Sequence, residues 1–69
     1  MKLSARNRLR GTVTSINRGE AIANVALDVG GQRVVASITV EAVEELGLRE
    51  GSAATAIIKA SDVMIATDD

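Results

Sequence analysis

Apolar and polar residues alternate along most of the chain, which is the period of half-buried β-strands. Four alternating runs are predicted to form strands, and a shorter apolar run near the end of the chain is predicted to form a fifth. They cover residues 6–15, 21–29, 33–40, 53–60 and 63–67. The sequence therefore predicts a mainly antiparallel β-structure built from short strands.

In each of the first four runs, alternate positions are predicted to face the core. These positions are Leu9, Gly11, Val13 and Ser15; Ala21, Ala23, Val25, Leu27 and Val29; Val34, Ala36, Ile38 and Val40; and Ala54, Ala56, Ile58 and Ala60. Gly11, inside the first run, suggests a bend or a close approach of two backbones. Residues 17–20 and 49–52 are predicted turns, the first with Gly19 at positive φ, and Gly30-Gly31 predicts a hairpin.

The period changes between the third and fourth runs. Ala42, Val43 and Leu46 fall at helical spacing, so residues 41–46 are predicted to form a short helix. Thr39 is a suitable N-cap and Gly47 a suitable C-terminal stop. Three strands, a helix and two strands predict a single all-β domain over residues 1–69, a small five-stranded OB-like barrel. An open five-stranded sandwich is the alternative.

Composition makes this core a small one. The 69 residues contain no Cys, His, Phe, Tyr or Trp, so disulfides, thiolate or imidazole metal sites and aromatic packing are all excluded. A chain of this length buries only about 60% of its unfolded surface, and small domains usually need additional stabilisation. Oligomerisation is therefore the predicted stabiliser.

The charge balance excludes several classes of function. A net charge of −1 and the lack of aromatic residues disfavour a nucleic-acid binder. The acidic pairs Glu44-Glu45 and Asp68-Asp69 are interpreted as solvated surface, so no enzymatic activity is predicted. The sequence shows no apolar run of membrane-spanning length and no signal peptide, which predicts a cytoplasmic protein without a membrane partner.

Cations beside hydroxyl residues occur near both ends of the chain. Ser4 lies close to Arg6, and Ser61 lies close to Lys59. If the fold brings these segments together, two positive charges, two hydroxyls and several main-chain N–H groups converge, which suits a dianion. Thr39, at a predicted strand end, could add a further hydroxyl.

These segments also carry a resemblance to a known family. The motifs are Ser-Ala-Arg-Asn (residues 4–7) followed by Leu-Arg-Gly (9–11), then Ile38-Thr39, Val-Glu-Glu-Leu-Gly-Leu (43–48), Glu50-Gly51 and Ile-Lys-Ala-Ser-Asp-Val-Met (58–64). In this order, over essentially the whole chain, they resemble the molbindins, the small Mop-type molybdate-binding proteins whose module belongs to the TOBE type.

The resemblance implies an OB-like barrel that exchanges strands with a second subunit, with dimers assembling into hexamers. It also implies a non-catalytic protein of intracellular molybdenum storage or homeostasis, which holds molybdate or tungstate at subunit interfaces through the oxygens, without direct metal–protein bonds. The implied ligand residues are Ser4, Ala5, Arg6, Thr39 from a neighbouring subunit, Lys59, Ala60 and Ser61, and a second site is assigned to Arg18 and Gly19.

One position departs from the family pattern. Ala42 stands where related modules often have Ser, and the missing hydroxyl removes one hydrogen bond, about 0.5–1.5 kcal/mol. A different class of function stays open at this point: an OB-type interaction module that binds nucleic acid or a protein partner. Strong retention on an anionic polymer would favour that alternative.

Overall fold

A computed structural model describes residues 2–68. Four strands, β1 (Asn7–Arg18), β2 (Ile22–Val29), β3 (Gln32–Thr39) and β4 (Ala53–Ile58), form one antiparallel sheet in the order β3-β2-β1-β4. Helix α1 (Val40–Leu46) lies between β3 and β4, as predicted, and a 3-10 helix (Ala60–Asp62) follows β4. Within residues 2–68, no helix is long and apolar enough to cross a membrane.

Strand β1 is shared between two partners. Its first half, from Asn7 to Thr12, pairs with β4, and its second half, from Thr12 to Arg18, pairs with β2. The sheet curls into a half-barrel, which leaves β3 and β4 as its two edges. The general architecture is therefore that of the predicted barrel, but it is open on one side.

The core lies inside the curl of the sheet. Its buried residues are Val13, Ala23, Val25, Leu27 and Val43, all at positions predicted to face inward. Val34, Ala36, Ile38, Ala54, Ala56 and Ile58 are half-buried along the inner face of the edge strands. The predicted inner faces are thus confirmed along β2, β3 and β4 themselves, but Ala21 and Ala60, just outside these strands, are exposed, and Ala26, predicted to face outward, is buried.

The turns and caps follow the local chemistry of the sequence. Gly30 and Gly31 have φ values of 57° and 88°, so they form the two-residue hairpin that joins β2 to β3. The Thr39 hydroxyl accepts a hydrogen bond from the Ala42 N–H at 3.0 Å, and Gly47 ends α1 in the left-handed conformation. The predicted N-cap and stop of the helix are therefore confirmed.

The predicted face of Ser15 and the predicted conformation of Gly19 are wrong. A register shift lies between Val13 and Ser15, and such a bulge moves the following side chains to the opposite face. Ser15 is consequently exposed, and Ile16 packs against the core instead. Gly19 has no positive φ; its N–H bonds to the Ile22 carbonyl at 2.8 Å in a turn of ordinary backbone.

The predicted fifth strand does not form within this chain. Residues 63–67 have no strand pairing, and the exposed fractions of Met64 and Ile65 are 93% and 87%. The 3-10 helix at Ala60 ends the ladder of β4, and the segment that follows does not pack on the sheet of its own chain. The chain described here therefore contributes four strands rather than five.

Candidate functional site

The β1–β4 ladder brings the two cationic segments to the same end of the sheet. Asn7 is the register partner of Ile58, so Arg6 enters β1 where Lys59 leaves β4. Partner residues of an antiparallel pair have Cα atoms about 4.5–5.5 Å apart. The convergence predicted for these segments is therefore confirmed by the pairing of the strands.

The first segment reaches this end as an irregular arm that begins before β1. Ala5 is buried, with 7% of its surface exposed, whereas Ser4 and Arg6 on either side are exposed. The small Ala5 side chain thus anchors the arm, and its neighbours remain accessible to a ligand.

The second segment is exposed and rich in hydrogen-bond donors. Lys59 is extended, with φ −65° and ψ 142°, and begins the 3-10 helix. The Asp62 N–H donates to the Lys59 carbonyl at 2.9 Å. Within residues 2–68 the main-chain N–H groups of Ala60 and Ser61 donate to no backbone carbonyl, so they and the Ser61 hydroxyl are free to bind an acceptor.

The two cations of these segments outnumber their one acidic residue, Asp62. Arg6 and Lys59 are both exposed, and in the described part of the chain neither forms an ion pair. Two cations held next to each other repel, whereas a dianion between them would be attracted by both and accept their N–H groups. The electrostatics of the segment pair therefore favour a small divalent anion.

Thr39 lies at the other end of the sheet. It is the register partner of Ile22, at the start of β2, and this end is separated from Asn7 by the 12 residues of β1, roughly 36 Å in a straight strand. One chain therefore does not bring Thr39 to Arg6 and Lys59. Because its oxygen already accepts the Ala42 N–H, the hydroxyl keeps its own proton to donate.

The two residues assigned to a second site share the Thr39 end. Arg18 is the last residue of β1 and pairs with Ala23. Gly19 follows, with its N–H bonded to Ile22, and is therefore not a free main-chain donor. Both are exposed, and neither is close to the end of the sheet that carries Lys59.

Sequence reasoning missed one residue of the site. The Asn7 carboxamide donates to the Ile58 carbonyl at 3.2 Å, across the terminal pair of the β1–β4 ladder. The signal was present in the sequence, because position 7 continues the inward-facing series of Leu9 and Gly11 with a polar side chain at the end of the strand.

An apolar cleft separates the two edges of the half-barrel. Its volume is about 590 Å³, and it is lined by side chains of β2, β3 and β4 together with Leu46 and Leu48. It lies between the edge strands β3 and β4, and its lining is mostly apolar.

Comparisons with known proteins show which family the chain belongs to. The family model described as the TOBE domain matches residues 3–65. The chain is 48% identical over 69 residues, with 99% of this chain and 100% of the relative covered, to the probable molybdenum-pterin-binding protein of Haemophilus influenzae (strain ATCC 51907 / DSM 11121 / KW20 / Rd).

Two solved structures share the fold. A molybdate-binding protein from Sporomusa ovata has a TM-score of 0.93 at 37% identity, with 97% of this chain and all of that chain covered. The cytoplasmic molybdate-binding protein ModG, with molybdate bound, has a TM-score of 0.90 at 49% identity; 93% of this chain covers 46% of ModG. The chain belongs to the TOBE-domain family, as one of its molbindin (Mop-type) members.

Proposed function

We propose that this protein binds molybdate without catalysing a reaction, and that it serves the storage or homeostasis of molybdenum in the cytoplasm. The observation that carries the proposal is the Asn7–Ile58 register, which joins Arg6 and Lys59 at one end of the sheet. The names of its relatives support the choice of anion, because the Sporomusa ovata protein and ModG are both molybdate-binding proteins. The description of ModG as cytoplasmic supports the compartment.

The proposed ligand shell combines charge with directional donors. Arg6 and Lys59 balance the two negative charges of the oxyanion, and the remaining donors are the Ser4 and Ser61 hydroxyls and the main-chain N–H groups around Ala5 and Ala60. The anion is bound through its oxygens, without direct metal–protein bonds. Tungstate has the same shape and charge, so the same shell would accept it.

A second copy of the chain completes the proposed site. Thr39 can reach a ligand at Arg6 only from another subunit, because the two lie at opposite ends of the same chain's sheet. We propose that residues 63–67 of each chain form the fifth strand of its partner, seated in the apolar cleft. The exposed Val63, Met64 and Ile65 supply the apolar side chains for it, and three such dimers would form a hexamer.

A second site near Arg18 and Gly19 remains part of the proposal. In one chain the two residues offer one guanidinium and exposed backbone. Because the Gly19 N–H is already bonded to Ile22, the donor is the Arg18 guanidinium, and several copies related by symmetry would bring several such guanidinium groups around a common axis.

The proposal predicts that removing either cation weakens molybdate binding. Arg6→Gln and Lys59→Gln each delete one charge-assisted hydrogen bond, which contributes about 1.5–3 kcal/mol, or roughly a 10- to 150-fold change in Kd. Isothermal titration with molybdate measures this change. Parallel native mass spectrometry would count the subunits and bound anions.

Arg33→Gln is the matched control. Arg33 is exposed on β3 and is the register partner of Asp28 beside the Gly30-Gly31 hairpin, away from both cationic segments. The Arg33→Gln variant should bind molybdate with the affinity of the wild type. Sulfate at a concentration equal to that of molybdate should not displace molybdate from either protein. Equal losses in all three variants, or no uptake of molybdate by the wild type, would remove the proposal. Titration with a molybdenum-free pterin tests the other ligand that the Haemophilus influenzae relative's name mentions.

A further inference from the structure

Asn7 sits between the two cationic segments without belonging to either. Its side chain is half-buried and faces the inside of the sheet, and its carboxamide donates to the carbonyl of Ile58 at 3.2 Å. Arg6 immediately precedes it, and Lys59 immediately follows its hydrogen-bond partner. The bond therefore closes the ladder at the point from which both segments of the proposed site leave the sheet.

We infer that Asn7 is a positioning residue for the oxyanion, which fixes the separation of Arg6 and Lys59 without contacting the ligand. This inference rests on the proposed function and adds a residue to it. Arg6 and Lys59 carry like charges on adjacent segments, which disfavours a close approach of the two side chains, and the ends of strands open more easily than their centres. A side-chain bond across the last register pair opposes both effects before the anion arrives.

Preorganisation of this kind changes affinity more than stability. The Asn7 bond orders two segments that are exposed apart from the buried Ala5 and lie outside the core cluster of Val13, Val25 and Val43. Loss of the bond leaves this core intact but requires the ligand to order both segments, and that cost appears in the binding free energy. A purely structural role would produce the opposite pattern.

The test compares molybdate affinity with the thermal stability of the ligand-free protein. Asn7→Ala should raise Kd roughly three- to ten-fold, the range to which one net hydrogen bond corresponds, with the ligand-free Tm changed by no more than about 2 °C. Asn7→Asp should bind still more weakly at low salt, because its carboxylate neither donates to Ile58 nor tolerates a nearby dianion. Added salt should reduce this difference between the two variants, since salt screens charge but not the loss of a donor.

Thr14 provides a matched control on the same strand. Its hydroxyl donates to the Ala26 carbonyl at the same length, 3.2 Å, but on the β1–β2 side of the sheet. Thr14→Ala removes a similar bond, so it should leave Kd unchanged whatever its effect on Tm.

Failure of the proposed function and failure of the positioning role give different results. Wild-type protein that binds no molybdate overturns the proposed function itself. Wild-type binding with an unchanged Kd in Asn7→Ala, or equal losses of affinity in Asn7→Ala and Thr14→Ala, overturns the positioning role alone. A lower Tm with an unchanged Kd would assign the Asn7 bond to folding only.

Discussion

Gly11 marks the place where β1 passes from one partner strand to the other, and no other residue fits there without movement. A Cβ added at this position would lie 2.4 Å from the Asp28 carbonyl oxygen and 2.8 Å from Cγ2 of Val29. Real Cβ atoms essentially never approach another heavy atom within 3.0 Å, so Gly11→Ala must push β2 away from β1 by at least 0.6 Å (3.0 − 2.4).

The cost of this displacement exceeds the entropic benefit of the substitution. Overpacking a well-packed site costs about 1–3 kcal/mol, whereas replacing Gly by Ala stabilises by about 0.4–1 kcal/mol through the unfolded chain. At the middle of these ranges, about 2 and about 0.7 kcal/mol, the difference is a net loss of about 1.3 kcal/mol. For a domain of this size, each kcal/mol corresponds to roughly 4–8 °C in Tm.

Thermal unfolding of Gly11→Ala should therefore show a Tm lower by about 5–10 °C, measured at one fixed protein concentration because association shifts Tm. Gly19→Ala is the matched control. Gly19 also lacks a positive φ, and its added Cβ would meet one atom, the Ile22 carbonyl oxygen, at 3.0 Å. A Gly11→Ala protein as stable as the wild type would refute the close approach of β1 and β2.

Two further predictions concern Thr39 and the exposed segment after the 3-10 helix. Thr39→Val removes both the helix cap and the hydroxyl donor, so it should cost about 1 kcal/mol of stability and weaken molybdate binding. Thr39→Ser should retain both the stability and the affinity. A Thr39→Val protein with a lower Tm but wild-type affinity would show that Thr39 acts only as a helix cap. Ile65→Asp places a charge at a position that is 87% exposed in the single chain but would be buried in a partner's cleft. Light scattering should therefore give a lower molar mass for the folded variant than for the wild type. An unchanged molar mass would argue against strand exchange.

Local sequence patterns predicted the features that depend on neighbouring residues. Alternation assigned most of the inner faces of β2, β3 and β4, because the side-chain period of a strand is independent of its partner; it failed for Ala26, which is buried, and at Ala21 and Ala60, which are exposed. The Thr39 cap and the Gly30-Gly31 hairpin likewise depend on a few adjacent residues. The meeting of Arg6 and Lys59 was predictable as a requirement of the chemistry, although only the pairing of β1 with β4 shows how it is met.

The errors arose where a second strand or a second molecule decides the structure. Ser15 is exposed because the ladder with β2 shifts after Val13, and alternation within one strand contains no sign of this shift. The turn at Gly19 is closed by Ile22, which removes the need for a positive φ. Residues 63–67 have the pattern of a strand, but their own chain offers no paired position for them.

The uneven attachment of β4 has a consequence for how cargo would leave the protein. Among the described residues this strand pairs with β1 alone, through the register pairs from Asn7 to Thr12 and the Asn7 side-chain bond to Ile58; its inner residues are half-buried, whereas the fully buried core lies on β1, β2 and α1. Its free end can therefore open while the rest of the sheet stays folded. Lys59 leaves the sheet from that end, so a bound anion could exchange with solvent on the timescale of local opening, which is much faster than unfolding. Each protein molecule could then release and bind the anion many times.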